Sequence, residues 1–377
     1  MNTTVVSSGF RWLRTGAEAF GAMLDAIESA KVSIRLETYI YEDGPIGAKF
    51  REALVKARQR GVQVQVLVDA FGSVRLSTSF WDPLVKARGE FAWFNPVSLQ
   101  RWSYRDHRKM LICDQAIGFI GGFNIAEAYN GDGVTRGWRD LGLQITGSLV
   151  EDLARSFDLF FARATVKHKP LQRLRKALTR ITTGQNWKLL SSGPGRHHGD
   201  LKRTFTADLK LARSVKIISA YFLPTWRLRK ELMQVSKRGG KVQLILAGKT
   251  DVALAQLASR RLYRSFLRAG VEIFEYQPQI LHAKMFILDD IVYAGSANLD
   301  IRSLRINYEL LVRISEPEVA AEARTIFEAD LEHSKRIDPS TWSKSRNFWG
   351  KLREDWAYFV LARIDPYLAG RQLKTLR

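Results

Sequence analysis

A chain of 377 residues with 46% hydrophobic and 26% charged side chains can bury two ordinary cores, and its composition is that of a folded protein rather than a disordered one. Its 59 Lys and Arg against 38 Asp and Glu leave a formal net charge of +21, a field that draws anionic partners, phospholipid surfaces and nucleic acids foremost, unless the chain is simply a basic soluble protein. A single cysteine, Cys113, excludes an intrachain disulfide and sits in an apolar strand pattern as a buried thiol, and no stretch approaches the roughly 18 apolar residues that a spanning helix needs.

The opening residues, MNTTVVSSGFRWLRTG, lack a basic segment followed by an apolar core, so no signal peptide is expected. Residues 17–30 carry Phe20, Leu24 and Ile27 at helical spacing, and residues 32–41 then alternate as a strand. A second helix is predicted over residues 46–60, stopping at Gly61, followed by a strand in which Val62, Val64, Val66 and Val68 share one face up to Asp69. Alternating helix and strand make an α/β unit. The loop AFGSVRLSTSF from Ala70 follows a strand end, a place where sites and plain polar loops are both found. Next, RWSYRDHRK over residues 101–109 offers Arg101, Arg105 and Arg108 with two aromatics, suited to a head-group phosphate or to a solvated basic edge.

Residues 107–124 read HRKMLICDQAIGFIGGFN, and Trp138-Arg139-Asp140 then opens another alternating run. From Leu159 to Gly199 there is no Asp or Glu, while Lys167, Lys169, Arg173, Arg175 and Lys176 recur, and Leu171, Leu174, Leu178 and Ile181 fall at helical spacing. This segment is a solvated linker helix or an amphipathic basic helix suited to anionic lipid. The second half then echoes the first. A helix end over residues 207–212, a strand over 215–221, a helix over 228–238 and a strand over 242–247 recur in order, with RQRGVQVQVLVDA matched by SKRGGKVQLILAG. Residues 282–298 read HAKMFILDDIVYAGSAN, and LDIRSLRINYELLVRI follows, with Glu309 in a strand pattern. In the basic, Trp-rich tail, Trp349, Leu352, Trp356, Phe359 and Val360 share a helix face, expected to dock on the second domain and to leave a membrane-facing edge.

The two stretches at 107–124 and 282–298 share an order. Each has a Lys two residues after a His, an Asp five residues after that Lys, and a Gly-Gly or Gly-Ser step followed two positions later by Asn. Period-two alternation would point His107 with Lys109, and His282 with Lys284, to one side. An imidazole can attack phosphorus, accept a proton or give one, and a lysine can hold an oxyanion, so two such pairs in one site suit phosphoryl transfer. Metal binding is not expected, because neither His has a second His or Cys at ligand spacing.

These stretches resemble the HKD motifs of the phospholipase D superfamily, H-x-K-x4-D followed by G-[GS]-x-N, the second copy being one residue shorter between Asp289 and Gly295. LETYIYEDGPIG, VLVDAFGS, FIGGFNIA, SAYFLPT, FEYQPQILHAKMFILDD and GSANLDIRSLRINYE extend the resemblance over most of the chain. Within the superfamily it is similar to bacterial cardiolipin synthases of the short type without N-terminal transmembrane helices. The resemblance implies an α/β fold of two duplicated domains, each a mixed β-sheet flanked by helices, related by a pseudo-twofold axis with the active site between them. The expected division is a first domain over residues 1–165, a basic linker over 166–186, a second domain over 187–334 and a C-terminal helical region over 335–377.

The implied catalytic set is His107, Lys109, Asp114, His282, Lys284 and Asp289. Asn124, Asn298 and Ser296 would bind or orient the phosphate. Asp140 and Glu309 would each fix the tautomer of a motif histidine, Asp140 being assigned to His107. The implied activity is phosphatidyl transfer: one histidine, His107 by family analogy, attacks phosphatidylglycerol to form a phosphatidyl-histidine, and the hydroxyl of a second phospholipid takes over the group. No cofactor and no metal is implied. The implied partner is an anionic phospholipid membrane, approached peripherally at the cytoplasmic face of the inner membrane. A phospholipase D that hydrolyses the same intermediate, or a nuclease of the same superfamily acting on nucleic acid, would carry the same motifs. Oligomeric state leaves no mark in the sequence.

Overall fold

The computed structural model describes residues 9–96, 103–165, 182–194, 199–342 and 346–375. The predicted amphipathic helix around Leu171–Ile181 and the side chain of Arg101 lie outside the described residues.

Strands β1 (Phe10–Leu13), β2 (Ser33–Thr38), β3 (Gln63–Asp69), β4 (Glu90–Phe94), β5 (Met110–Cys113), β6 (Ile117–Gly121) and β7 (Gly142–Thr146) form one mixed sheet in the order β1-β7-β6-β5-β2-β3-β4. Strands β2, β3 and β4 run parallel, and parallel neighbours need a crossover, here the helix Pro45–Gln59 between β2 and β3. That helix opens on Pro45, whose missing N–H costs nothing in the first turn. The preceding helix, Gly16–Ser29, is capped by Thr15, whose hydroxyl accepts the Glu18 N–H at 3.1 Å.

The second half contains β8 (Thr182–Thr183), β9 (Trp187–Ser192), β10 (Ser214–Ser219), β11 (Phe222–Leu223), β12 (Lys241–Ala247), β13 (Glu272–Tyr276), β14 (Lys284–Leu288), β15 (Ile291–Gly295), β16 (Leu299–Asp300), β17 (Glu309–Ile314) and β18 (Ser334–Arg336). Its main sheet runs β18-β13-β12-β10-β14-β15-β17-β9-β8, while β11 and β16 pair separately. With the edge strands β8 and β18 set aside, β9-β17-β15-β14-β10-β12-β13 repeats the first sheet strand for strand. Strand β8 lies inside the stretch expected as linker, so the second sheet begins before residue 187.

Alternation along the strands divides the core. Val64, Val66 and Val68 of β3 face the first half's outer core with Phe50 and Leu54, whereas Leu67 faces the other way. In β12, Val242, Leu244 and Leu246 face outward while Ile245 and Ala247 face inward. The inner sides of both sheets meet in one shared core with Phe157 and Phe160 of the helix Leu149–Thr165 and Ala323 and Phe327 of the helix Pro317–Glu332. Full burial of each such phenylalanine contributes about 2 kcal/mol, so the two halves are fixed against each other and a site between them is held rigidly.

Candidate active site

Because β5 is antiparallel to β2, and β14 to β10, the starts of β5 and β14 lie at the C-terminal edge of the parallel strands. His107 stands three residues ahead of β5 and His282 two residues ahead of β14, so both reach that edge. The backbone ties each histidine to the opposite half. His107 N–H donates to the Tyr308 carbonyl at 2.9 Å, and His282 N–H donates to the Arg139 carbonyl at 2.8 Å. The residues that follow those carbonyls are Glu309 and Asp140.

Side chains cross in the same sense. Nδ1 of His107 lies 3.0 Å from the Glu309 carboxylate, and Nδ1 of His282 lies 2.6 Å from Asp140 Oδ2. The assignment of Asp140 to His107 is therefore corrected: each acid holds the histidine of the other half. Sequence order misled here because residues close along the chain leave the shared edge on different sides of the interface. With Nδ1 donating to a carboxylate, each neutral ring carries its lone pair on Nε2, the atom left for chemistry.

The Gly-Gly and Gly-Ser steps match the two acids. A Cβ at Gly122 would stand 2.0 Å from Asp140 Oδ1, so only glycine leaves room for that carboxylate. Ser296 occupies the equivalent place, donating its hydroxyl to Glu309 at 2.6 Å, and Ser303 donates to the same carboxylate at 2.8 Å. The lysines lie beside their histidines. Lys109 Nζ donates to the His107 carbonyl at 2.6 Å. Lys284 Nζ donates to the His282 carbonyl and lies 2.8 Å from its Nδ1. Since that nitrogen already gives its proton to Asp140, the second contact is one of charge.

All six of these ionisable side chains are buried. Burial pushes His107 well below the ordinary imidazole range, and Lys109 and Lys284 add to the effect. Burial and Lys284 also lower His282, with Asp140 pulling the other way. Burial brings Lys109 down to about 7 against the pull of Glu309, and lowers Lys284 against Asp140 and Glu309. Burial raises Glu309 to about 7, against Lys109. The site thus sets neutral imidazoles among cationic groups that an incoming anion would hold in their charged form.

Four predicted positions lie elsewhere or are otherwise engaged. Asp114 follows the far end of β5, where its carboxylate accepts the N–H groups of Val32 at 2.7 Å and of Lys31 and Ser33 at 2.9 Å. Asp289 does the same after β14, accepting from Ser214 at 2.8 Å and Arg213 at 3.2 Å. Both backbones are left-handed, with φ of 55° and 51°, a turn geometry that Asp tolerates. Five residues of extended chain, about 17 Å, separate each from its motif lysine, so the structure does not bring them to the histidines. Arg105 and Arg108, read as suited to a head-group phosphate or to a solvated basic edge, are instead buried against Asp69 at 3.3 Å and Glu37 at 2.7 Å. The asparagines do lie at the edge. Asn124 Oδ1 accepts the Ile40 N–H at 3.0 Å and Asn298 Oδ1 the Tyr221 N–H at 3.3 Å, which ties the loops after β2 and β10 to the site.

Residues 23–157 and 206–331 match the family described as cardiolipin synthase, PLD-like domain, PLD standing for phospholipase D. The chain belongs to this family. Cardiolipin synthase 2 of Bacillus anthracis is 33% identical over 348 residues, spanning 89% of this chain and 67% of that protein. The major cardiolipin synthase of Bacillus subtilis is 31% identical over 355 residues, spanning 90% and 72%. Among solved structures, phosphatidylserine synthase of Haemophilus influenzae matches with a TM-score of 0.75 over 97% of this chain and 95% of that one at 14% identity, a likeness of fold.

Within this cardiolipin synthase-family site, several residues escaped sequence reasoning. Tyr129 is buried, its hydroxyl 3.5 Å from His282 Nε2, and it accepts from Asn124 Nδ2 at 2.6 Å. Tyr39 packs its ring 4.8 Å from that of His107. Arg302 lends positive charge to His107 and donates to the Ser103 carbonyl at 3.0 Å. A signal for Tyr129 existed: it follows Asn124 by five residues, as Ser303 follows Asn298, and both belong to the hydrogen-bond network at the site. Among the described residues, no helix is long and apolar enough to cross a membrane, and no three His, Cys, Asp or Glu side chains are arranged to hold a metal ion.

Proposed function

We propose that this chain, a phosphatidyltransferase of the cardiolipin synthase family, moves a phosphatidyl group from phosphatidylglycerol to the hydroxyl of a second phospholipid through a covalent phosphatidyl-histidine. The crossed pairing of His107 with Glu309 and of His282 with Asp140 carries the proposal, because it supplies two imidazoles of fixed tautomer, each with its lone pair on Nε2. His107, held neutral by burial, directs the Nε2 lone pair at phosphorus. As the N–P bond forms, the P–O bond to glycerol breaks and the leaving oxygen takes a proton from His282 Nε2. The acceptor hydroxyl then returns a proton to His282 as its oxygen bonds to phosphorus and the N–P bond breaks. Lys109 and Lys284 hold the equatorial oxygens, and Asn298 and Asn124 shape the cradle, Asn124 through Tyr129. The negative phosphodiester restores the proton affinity that burial removes from His282, so acid and nucleophile are set apart once substrate is bound. Asp114 and Asp289 serve the turns that end β5 and β14.

The test uses phosphatidyl-p-nitrophenol, whose leaving group needs no proton. His282→Ala should accumulate a phosphatidyl adduct on His107, detected by mass spectrometry after acid-free digestion, and His107→Ala should form none. An adduct on His282 in the His107→Ala variant would reverse the roles. With phosphatidylglycerol vesicles the wild type should release glycerol and yield cardiolipin; phosphatidic acid alone would mean hydrolysis, and cleavage of DNA without lipid turnover would mean a nuclease.

A further inference from the structure

The helix Phe348–Phe359 continues through Val360–Ile364 into Asp365–Thr375. Its docked face is Glu354 and Ala357, with Tyr358, Leu361 and Ala362 packed on the second half's outer core. Its free face is the stripe that the sequence pattern marked for docking: Trp349 is 68% exposed, Leu352 49%, Trp356 61% and Phe359 55%, with Val360 half-buried at its border and Tyr367 exposed further along. The expected docking by this stripe is thus corrected, and the opposite face docks. Exposed Lys351, Arg353, Arg363 and Arg371 lie along the same helix. Aromatic side chains flanked by basic ones are costly in water and well placed in the head-group layer of an anionic bilayer.

Two further observations locate this stripe relative to the chemistry. Asp365 pairs with Arg302, the arginine whose charge reaches His107, and Tyr104 donates its hydroxyl to the Ala369 carbonyl, so the helix is fastened to the wall of the site. The other exposed large apolar side chains are also unevenly spread. Phe71 and Val74 leave the end of β3, Trp226 follows β10 and β11, and Val252 follows β12, all on the edge that carries the histidines. Exposed Arg75, Arg227 and Lys249 accompany them. Among the described residues, the opposite edge offers Val32 and Leu211, just ahead of β2 and β10, and Val85, in the helix Asp82–Lys86 ahead of β4, none of them aromatic.

We propose that this histidine-bearing edge rests on an anionic phospholipid bilayer, with the aromatic stripe of the C-terminal helix as its principal anchor and the loops after β3, β10 and β12 as the remaining contacts. The inference builds on the phospholipid reading above and names the surface that delivers membrane-resident substrate to the site. The net charge of +21 supplies the complementarity.

The full chain is mixed with sucrose-loaded vesicles of phosphatidylglycerol or of phosphatidylcholine, and bound protein is measured by sedimentation. Trp349→Glu with Trp356→Glu should lower partition into phosphatidylglycerol vesicles at least about tenfold and lower transfer from limiting vesicle lipid in step, while transfer from monomeric short-chain phosphatidylglycerol stays within about twofold. Trp226→Glu should weaken partition less, and Leu211→Glu, on the far edge, should leave it unchanged. Wild-type partition in the double variant would overturn the proposal. So would a change from dimer to monomer in analytical ultracentrifugation with partition unaltered, which would make the stripe an interface between copies. Loss of partition in the variant, with no lipid turnover by the wild type on either substrate, would support the docking surface and defeat the proposed activity.

Discussion

Replacing Glu309 by Gln tests the crossed pairing directly. When His107 bonds to phosphorus its ring becomes cationic, and the carboxylate 3.0 Å from Nδ1 stabilises that charge. With about 4 Å between charge centres and an effective dielectric of about 20, the stabilisation is about 4 kcal/mol, or roughly a thousandfold in rate. The amide worsens the loss in a second way. Ser296 and Ser303 both donate to the carboxylate, and a Gln side chain has one acceptor oxygen to share among them and His107, so its amide hydrogens would be left facing Nδ1 and would favour the wrong tautomer. The assay is the burst of p-nitrophenolate from phosphatidyl-p-nitrophenol, which reports attack by the nucleophile without any acid. Once the trapping experiment has placed the adduct on His107, Glu309→Gln should slow the burst about a thousandfold. Asp140→Asn should leave the burst within about threefold and should slow turnover of phosphatidylglycerol instead, because it acts on the acid. The reverse pattern, with Asp140→Asn abolishing the burst, would refute the crossed arrangement.

Asp114→Ala should lower the urea-unfolding free energy by about 2 kcal/mol through loss of its bonds to the N–H groups of Lys31, Val32 and Ser33, while the folded enzyme keeps its kcat; a lost kcat at full stability would return this Asp to the chemistry. Gly122→Ser should displace Asp140, whose Oδ1 lies 2.0 Å from the added Cβ, and reduce phosphatidylglycerol turnover by about tenfold or more, with no comparable change in the nitrophenolate burst. Tyr129→Phe removes the hydroxyl between Asn124 and His282 and should lower kcat about tenfold with KM little changed; a larger effect on KM would make Tyr129 a substrate-binding group rather than a positioning one. Burial holds the folded pKa of His107 below its unfolded value, so the stability that the neutral ring contributes is whole above about pH 6.5 and is lost as pH falls through the folded value. Urea titrations between pH 7.5 and 5.5 should show the wild type losing stability relative to His107→Gln by up to about 1.4 kcal/mol per pH unit, and parallel curves would contradict the depressed pKa.

Much of the architecture could be read along the chain because it is local. Valine alternation from Val62 to Val68, the helix stop at Gly61 and the echo of RQRGVQVQVLVDA in SKRGGKVQLILAG are each set within a few residues, and the repeated His-x-Lys marked both halves of the site. The displacement of Asp114 was also within reach: an Asp five extended residues from a lysine stands at the other end of the strand. Local pattern thus settles the duplicated α/β plan, the paired histidines and lysines, and the presence of one acid downstream of each motif. Which acid serves which histidine was decided only by the tertiary structure, because it depends on how the two sheets face each other across their shared core, where Glu309 reaches His107 and Asp140 reaches His282. The same holds for the C-terminal helix. Periodicity identified Trp349, Leu352, Trp356 and Phe359 as one stripe, but a stripe has the same period whether it meets protein or solvent, and only the packing of Ala357 and Leu361 showed that it faces outward.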